Sequence, residues 1–271
     1  MTRHIVITSP KGGVGRTTLV AQLATRLTAR GKRCLAIDLD PQNTLALQLG
    51  ASPTAWLNAN QPGAASAAHT VGIVNLELTA HALAEHLRAR RAYVAHVPFG
   101  THQSVSRRRA EAELTVDPRK LRARITTLAP PRCELVLIDT PAGQNAWAES
   151  ALALADLVLV PLLAEPASLA AVPAWEAYLR AHAPAAYPQR VQYLINRWNP
   201  TQQVACDVFN VLSASLPGRV SQRGVFDDEQ LREALARGEP QLQDAGSQAA
   251  SDFESLADSV LEQIEPEAFA S

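Results

Sequence analysis

The stretch Pro10-Lys11-Gly12-Gly13-Val14-Gly15-Arg16-Thr17-Thr18 restricts the fold of this chain more than any other feature. Before it runs His4 to Ser9, short and rich in β-branched residues. After it, Thr17 to Arg30 carries apolar residues at helical spacing until Gly31 stops them. A strand that turns through glycines into a helix directs consecutive backbone N–H groups, and the positive end of the helix, at one point in space. That point suits a phosphate. Gly12, Gly13, Val14, Gly15, Arg16, Thr17 and Thr18 are therefore the candidate phosphate-binding residues, and Thr17 stands where a hydroxyl would bind magnesium. A structural turn without ligand is the competing reading. Two residues depart from G-x-x-x-x-G-K-[ST]: Pro10 replaces the first glycine and Arg16 the lysine. Arginine is longer, planar and always charged, so it meets phosphate as a fork and not as a point charge.

The strand-then-helix rhythm recurs along the chain. Cys34 to Leu39, Ala92 to Val97, Cys133 to Ile138, Leu157 to Leu162 and Val191 to Ile195 are short apolar runs separated by helix-length stretches. Runs such as ELVLID and DLVLVPLL are nearly continuous, as suits strands covered by helices on both faces. The expected fold is α/β: a doubly wound, mainly parallel sheet flanked by helices, with right-handed crossovers. Residues 51 to 91 have no clear period and read as a long surface loop. From Gln248 to Ile264, Phe253, Leu256, Ala257, Val260, Leu261 and Ile264 share one face, which predicts a helix packed on the core.

A length of 271 residues is enough for one substantial core, and a single nucleotide-binding domain over 1–271 is expected. The net charge of -1 gives no global attraction to nucleic acid or anionic lipid, so such binding needs a local patch. One exists: between Arg88 and Arg124 ten Lys or Arg stand against three acidic residues, including Arg107-Arg108-Arg109. A solvated arginine-rich face and a partner or nucleic-acid surface both account for it. Cys34, Cys133 and Cys206 form no CxxC pair, and the histidines, His81 and His86 included, show no i, i+4 spacing, so no disulfide framework or structural metal is expected. The chain opens on a strand-like segment and lacks an 18-residue apolar run, which predicts a cytoplasmic protein without direct membrane insertion.

Two further motifs end predicted strands, where ligands of open α/β sheets bind. They are Asp38-Leu39-Asp40-Pro41-Gln42 and Leu137-Ile138-Asp139-Thr140-Pro141. With Lys11 directly after Pro10, the three segments in this order resemble the ParA/MinD family of P-loop ATPases, whose deviant phosphate loop carries a signature lysine. That resemblance covers nearly the whole chain. It implies ATP and magnesium as cofactors and a homodimer with ATP at the interface. Lys11 would reach the partner's nucleotide as a catalytic and cofactor-binding residue. Asp40 would position the attacking water or bond near magnesium, and Asp139, with Thr17, would hold the magnesium shell. Asp139 as a simple turn cap is the competing reading. Most members keep lysine at the position of Arg16, so the arginine puts rapid hydrolysis in doubt. Asn196, in Leu194-Ile195-Asn196-Arg197, is similar to the family's base-reading segment. It is either an adenine ligand or a turn-forming asparagine.

Within the family, MinD-like members end in a basic amphipathic membrane helix, whereas no Lys or Arg follows Arg237 here and Glu262, Glu265 and Glu267 lie beyond it. Basic residues near the end, common in DNA-binding members, are missing as well. Val97-Pro98-Phe99-Gly100, Trp198-Asn199-Pro200 and Val225 to Pro240 instead resemble the BcsQ (YhjQ) family encoded with bacterial cellulose synthase. The resemblance implies a nucleotide-held dimer supporting assembly or localisation of the cellulose secretion complex. Its partners would be cellulose synthase subunits, with recruitment to the inner membrane through them. A partition-type ATPase that binds DNA non-specifically is the alternative.

Overall fold

A computed structural model describes residues 1–51, 73, 94–100, 104–222, 224–237 and 247–265. The aperiodic stretch 52–91, Ile73 apart, lies outside the described residues with His81, His86, Arg88, Arg90 and Arg91, as does Glu267.

The described elements run β1 (Arg3–Ile7), α1 (Arg16–Ala29), β2 (Cys34–Asp38), α2 (Leu45–Gln48), β3 (Ala95–Val97), α3 (Ser104–Val116), α4 (Arg119–Leu128), β4 (Leu135–Asp139), α5 (Ala146–Leu152), β5 (Leu157–Leu163), α6 (Pro166–His182), β6 (Val191–Trp198), α7 (Gln203–Ser215), β7 (Val225–Phe226), α8 (Glu229–Ala236) and α9 (Gln248–Ile264). The seven strands form one sheet in the order β3-β2-β4-β1-β5-β6-β7, with every pairing parallel.

The central strands β1, β2, β4 and β5 bury both of their faces, which is why their sequence runs apolar without alternation. Ile5, Ile7, Leu135, Leu137, Leu157 and Leu159 point into a core shared with α1 and α9. Val6, Val136, Ile138, Val158 and Val160 point into the opposite core, shared with α3 to α7. Residue by residue, the period of two decides which helix layer a side chain meets.

Helix α1 ends as expected: Gly31, at φ +84°, donates to the Thr28 carbonyl and Lys32 to that of Leu27, leaving the left-handed turn to glycine. Helix α9 spans the predicted Gln248 to Ile264, capped by Ser247 Oγ accepting from the Ala250 amide, and it lies against α1. Strand β6 runs three residues past the expected Ile195, so Asn196 is part of a strand and not of a turn. The two-residue β7 is too short for any periodicity to announce. Among the described residues no helix is long and apolar enough to cross a membrane.

From β1 the chain moves toward β2, whereas from β4, the neighbour of β1, it moves toward β5. The loops that leave β1 and β4 therefore part, opening a crevice at the carboxyl ends of the strands. All three sequence motifs sit there.

Candidate functional site

The loop after β1 turns on Gly13 (φ +75°) and on Gly15 (φ +88°), the residue preceding α1. A Cβ on Gly13 would meet no heavy atom within 4 Å, so the loop encloses free space at that residue. Gly15 is different: a Cβ there would lie 2.2 Å from Asn196 Nδ2. Asn196, 7 % exposed, donates from Nδ2 to the Val14 carbonyl at 2.7 Å. It supports the phosphate loop from beneath, a job its local sequence does not announce. One N–H and the carbonyl oxygen of its amide remain for another partner.

The first turn of α1 has no side-chain cap and no acidic residue, so its leading N–H groups lack protein side-chain partners. Thr17 stands there, facing Asp139. Asp139 closes β4 in full burial with the Thr17 hydroxyl beside it, but neither carboxyl oxygen has a donor in full hydrogen-bond geometry. Burial pushes its pKa up to about 7; the Thr17 hydroxyl and the Arg16 guanidinium pull it down, and Asp40 pushes it up. A buried carboxylate without such donors is rare in folded proteins and calls for an explanation.

Asp38, passed over as a candidate, is the register partner of Asp139 and equally buried. Its Oδ1 accepts from the Asp40 amide at 2.9 Å and its Oδ2 from the Leu45 amide at 3.0 Å. It shapes the turn that presents Asp40. The signal was available in the D-x-D spacing, since an aspartate closing a strand commonly bonds its own turn.

Arg16 does not reach into open space. Its guanidinium is buried at 8 % exposure, with Nε on the Thr140 carbonyl (2.9 Å), Nη1 on Ser9 Oγ (2.6 Å) and on the Lys11 carbonyl (2.9 Å), and Nη2 3.6 Å from Asp40 Oδ2. Lys11 points elsewhere: its Nζ pairs with Glu165 Oε1 at 2.7 Å, both groups about two-fifths exposed. Glu165 precedes α6 and belongs to no motif.

The remaining segments support the crevice. The Gly143 amide bonds the Ser9 carbonyl, and Thr140 Oγ1 donates to the Ile7 carbonyl, tying the loop after β4 to β1. Phe99 gives its amide to Asn43 Oδ1 and its ring meets Trp147 of α5 in a T-shaped contact, so the Val97-Pro98-Phe99-Gly100 segment is a core contact. Past Asn196, at the same sheet end, a cavity of about 400 Å³ is lined by Trp198, Pro200, Phe209, Gly224, Phe226 and Asp252.

The described part of the arginine-rich region forms α3 and α4. Its charge is partly neutralised in place: Arg107 pairs with Glu111, Arg109 and Arg124 with Glu113, and Arg119 with Asp117.

With this geometry established, comparison with known proteins is specific. The family model of the cellulose biosynthesis protein BcsQ matches residues 2–261. The septum site-determining protein MinD of Escherichia coli is 24 % identical over 273 residues, covering 98 % of this chain and 93 % of MinD. Shorter matches are more identical. Chromosome-partitioning ATPase Soj of Thermus thermophilus is 48 % identical over 48 residues, 18 % of this chain and 19 % of Soj. Matches of that kind span only 13 % to 19 % of the relatives' own length. Among solved structures, cobyrinic acid a,c-diamide synthase of Mycobacterium smegmatis, with a bound ATP analog and magnesium, superposes with TM-score 0.69 at 20 % identity, covering 98 % of this chain and 97 % of the synthase. The fold is that of ParA/MinD-type P-loop proteins.

Proposed function

The chain belongs to the cellulose biosynthesis protein BcsQ family, and from that premise we propose that it binds ATP with magnesium and acts as a nucleotide-dependent homodimer. Its role in this proposal is to support assembly or localisation of the bacterial cellulose synthesis and secretion complex, with subunits of that complex as partners. We take 1–271 as one domain carrying this activity.

The observation that carries the nucleotide reading is Asp139, wholly buried and without a donor in full hydrogen-bond geometry, facing Thr17 at the mouth of a glycine loop. Leaving a carboxylate so is unfavourable, and a hydrated magnesium ion supplies the missing donors. Bound there, magnesium would neutralise phosphate charge and order the water around it. The chain's own residues do the rest. Amides of Gly12, Gly13, Val14, Gly15, Arg16, Thr17 and Thr18 bind the phosphates, with space left at Gly13 for their approach. Thr17 and Asp139 hold the ion, and Asp40 orients the water or the ion's shell. Asn196 keeps the loop in shape and offers its free amide atoms to adenine, whose size suits the neighbouring cavity between Trp198 and Phe226.

Because three of the Arg16 donors are held by the protein, the guanidinium has little left for stabilising a transferring phosphoryl group. ATP is expected to bind while turnover stays slow. Calorimetry with ATP and magnesium beside a phosphate-release assay tests this, and turnover at ordinary P-loop ATPase rates would contradict it. For the biological role, deleting the gene is expected to impair cellulose output or its polar localisation while plasmid and chromosome inheritance stay normal. Faulty segregation with intact cellulose would favour the second reading, a partition-type ATPase. That reading draws on the Soj match and the arginines of α3 and α4, and it requires DNA binding that weakens steeply with salt.

A further inference from the structure

Arg16 has five N–H donors on a rigid fork, and three are spent on acceptors from two loops: Ser9 Oγ and the Lys11 carbonyl after β1, and the Thr140 carbonyl beyond Asp139. Those bonds fix the plane of the guanidinium, and at 8 % exposure it cannot swing out without breaking all of them. Only the two N–H groups of Nη2 remain, and their nearest charged neighbour is Asp40 Oδ2 at 3.6 Å. That distance is beyond hydrogen-bond reach, so Arg16 holds Asp40 by charge alone. A phosphate oxygen in charge-assisted contact would sit closer, at about 2.8 Å. Two anions crowding one nitrogen in a site of low dielectric also repel each other strongly.

We propose that Arg16 is a positioning residue whose Nη2 serves Asp40 and a nucleotide phosphate in turn, so that phosphate entering the loop displaces Asp40 and frees the turn after β2. The inference rests on the nucleotide reading above and adds a coupling between phosphate arrival and Asp40. Asp40 keeps its own turn while it waits, with Oδ1 accepting from the Gln42 amide at 2.9 Å, so Oδ2 is the atom released. A lysine at 16 has one point charge and cannot bridge the three fixed acceptors while leaving one nitrogen to exchange.

The test is the affinity of the full chain for ADP in EDTA, which removes any part Asp40 plays toward a metal ion. Wild type, Asp40→Asn, Arg16→Gln and the double variant are compared by calorimetry. Removing the competitor is expected to tighten ADP binding about tenfold in wild type and less than twofold when Arg16 is glutamine. If Asp40 acts only by repulsion through space, its removal helps as much or more without Arg16, and the proposal fails. It fails too if Asp40→Asn leaves wild-type affinity unchanged or weaker. Should Arg16→Gln not fold, hydrogen exchange on the wild type decides. Saturating ADP is expected to speed exchange of the Asp40 and Gln42 amides, and unchanged or slower exchange there overturns the idea. A wild type that binds neither ADP nor ATP instead removes the nucleotide reading itself.

Discussion

Asp38 and Asp139 occupy paired register positions at the ends of β2 and β4, and both carboxyls are wholly buried. Asp38 has two backbone amides as donors, whereas Asp139 has no donor in full hydrogen-bond geometry. Burial, reinforced by the charge of Asp139, raises the Asp38 pKa well above the carboxylate range, and burial pushes Asp139 to about 7.

A raised folded-state pKa means that the native chain holds the proton more tightly than the unfolded one. Without ligand, the contribution of Asp139 to stability is therefore full below the unfolded carboxylate pKa, near 4, falls as pH rises and is lost above about 7, its folded value. Asp38 contributes in the same direction. Asp139→Asn is expected to stabilise the ligand-free protein at pH 8 by on the order of 2–4 kcal/mol and to flatten part of that slope. The same variant should lose the stabilisation that ATP with magnesium confers on wild type. Thermal unfolding from pH 5 to pH 8, with and without ATP and magnesium, measures both. A variant less stable than wild type at pH 8, or one that still responds to magnesium and ATP as wild type does, contradicts the account.

Gly15 and Asn196 make a second pair, 2.2 Å apart were Gly15 to carry a Cβ. Gly15→Ala is expected to weaken nucleotide binding more than tenfold, because the left-handed φ costs about 1–2 kcal/mol and the clash displaces the loop as well. Adding Asn196→Ala gives the methyl room but leaves φ as it was, so recovery should be partial. Asn196→Ala alone removes the bond to the Val14 carbonyl and should destabilise by about 1–2 kcal/mol. Calorimetry and denaturant unfolding of the three variants test the set. Full recovery in the double variant would mean that the backbone conformation of Gly15 does not matter.

Lys11 is held by Glu165 in the single chain, so a lysine that crosses to a partner's phosphates must first leave this contact. The pair is about two-fifths exposed and worth roughly 0–1 kcal/mol, so Glu165→Gln should leave thermal stability nearly unchanged. It should, however, shift the ATP-dependent monomer–dimer equilibrium a few-fold toward dimer. Lys11→Ala should abolish the nucleotide-dependent dimer, since partner phosphates would lose a charge-assisted contact worth roughly 2–5 kcal/mol in a dry interface. Light scattering with no nucleotide, ADP and ATP distinguishes these outcomes. A monomer in all three conditions, or a dimer indifferent to Lys11, would sink the assembly reading.

How much the sequence determined follows the range of the physics involved. Glycines at 13 and 15, the apolar runs of β1, β2, β4, β5 and β6, and the stripe of Phe253 to Ile264 express conformational and burial preferences complete within a few residues. The parallel sheet, the phosphate loop at its carboxyl edge and helix α9 were legible for that reason. The partners of the charged and polar site residues were not. Lys11 meets Glu165 across 154 positions, Arg16 meets Thr140 across 124, and Asn196 meets Val14 across 182. Nothing in the spacing of such residues encodes which donor a distant acceptor will find; only chain crossings in the finished sheet bring them within reach. Strand β7 was invisible for the same cause: two residues have no period, and it exists because β6 offers an edge for Val225 and Phe226 to pair with.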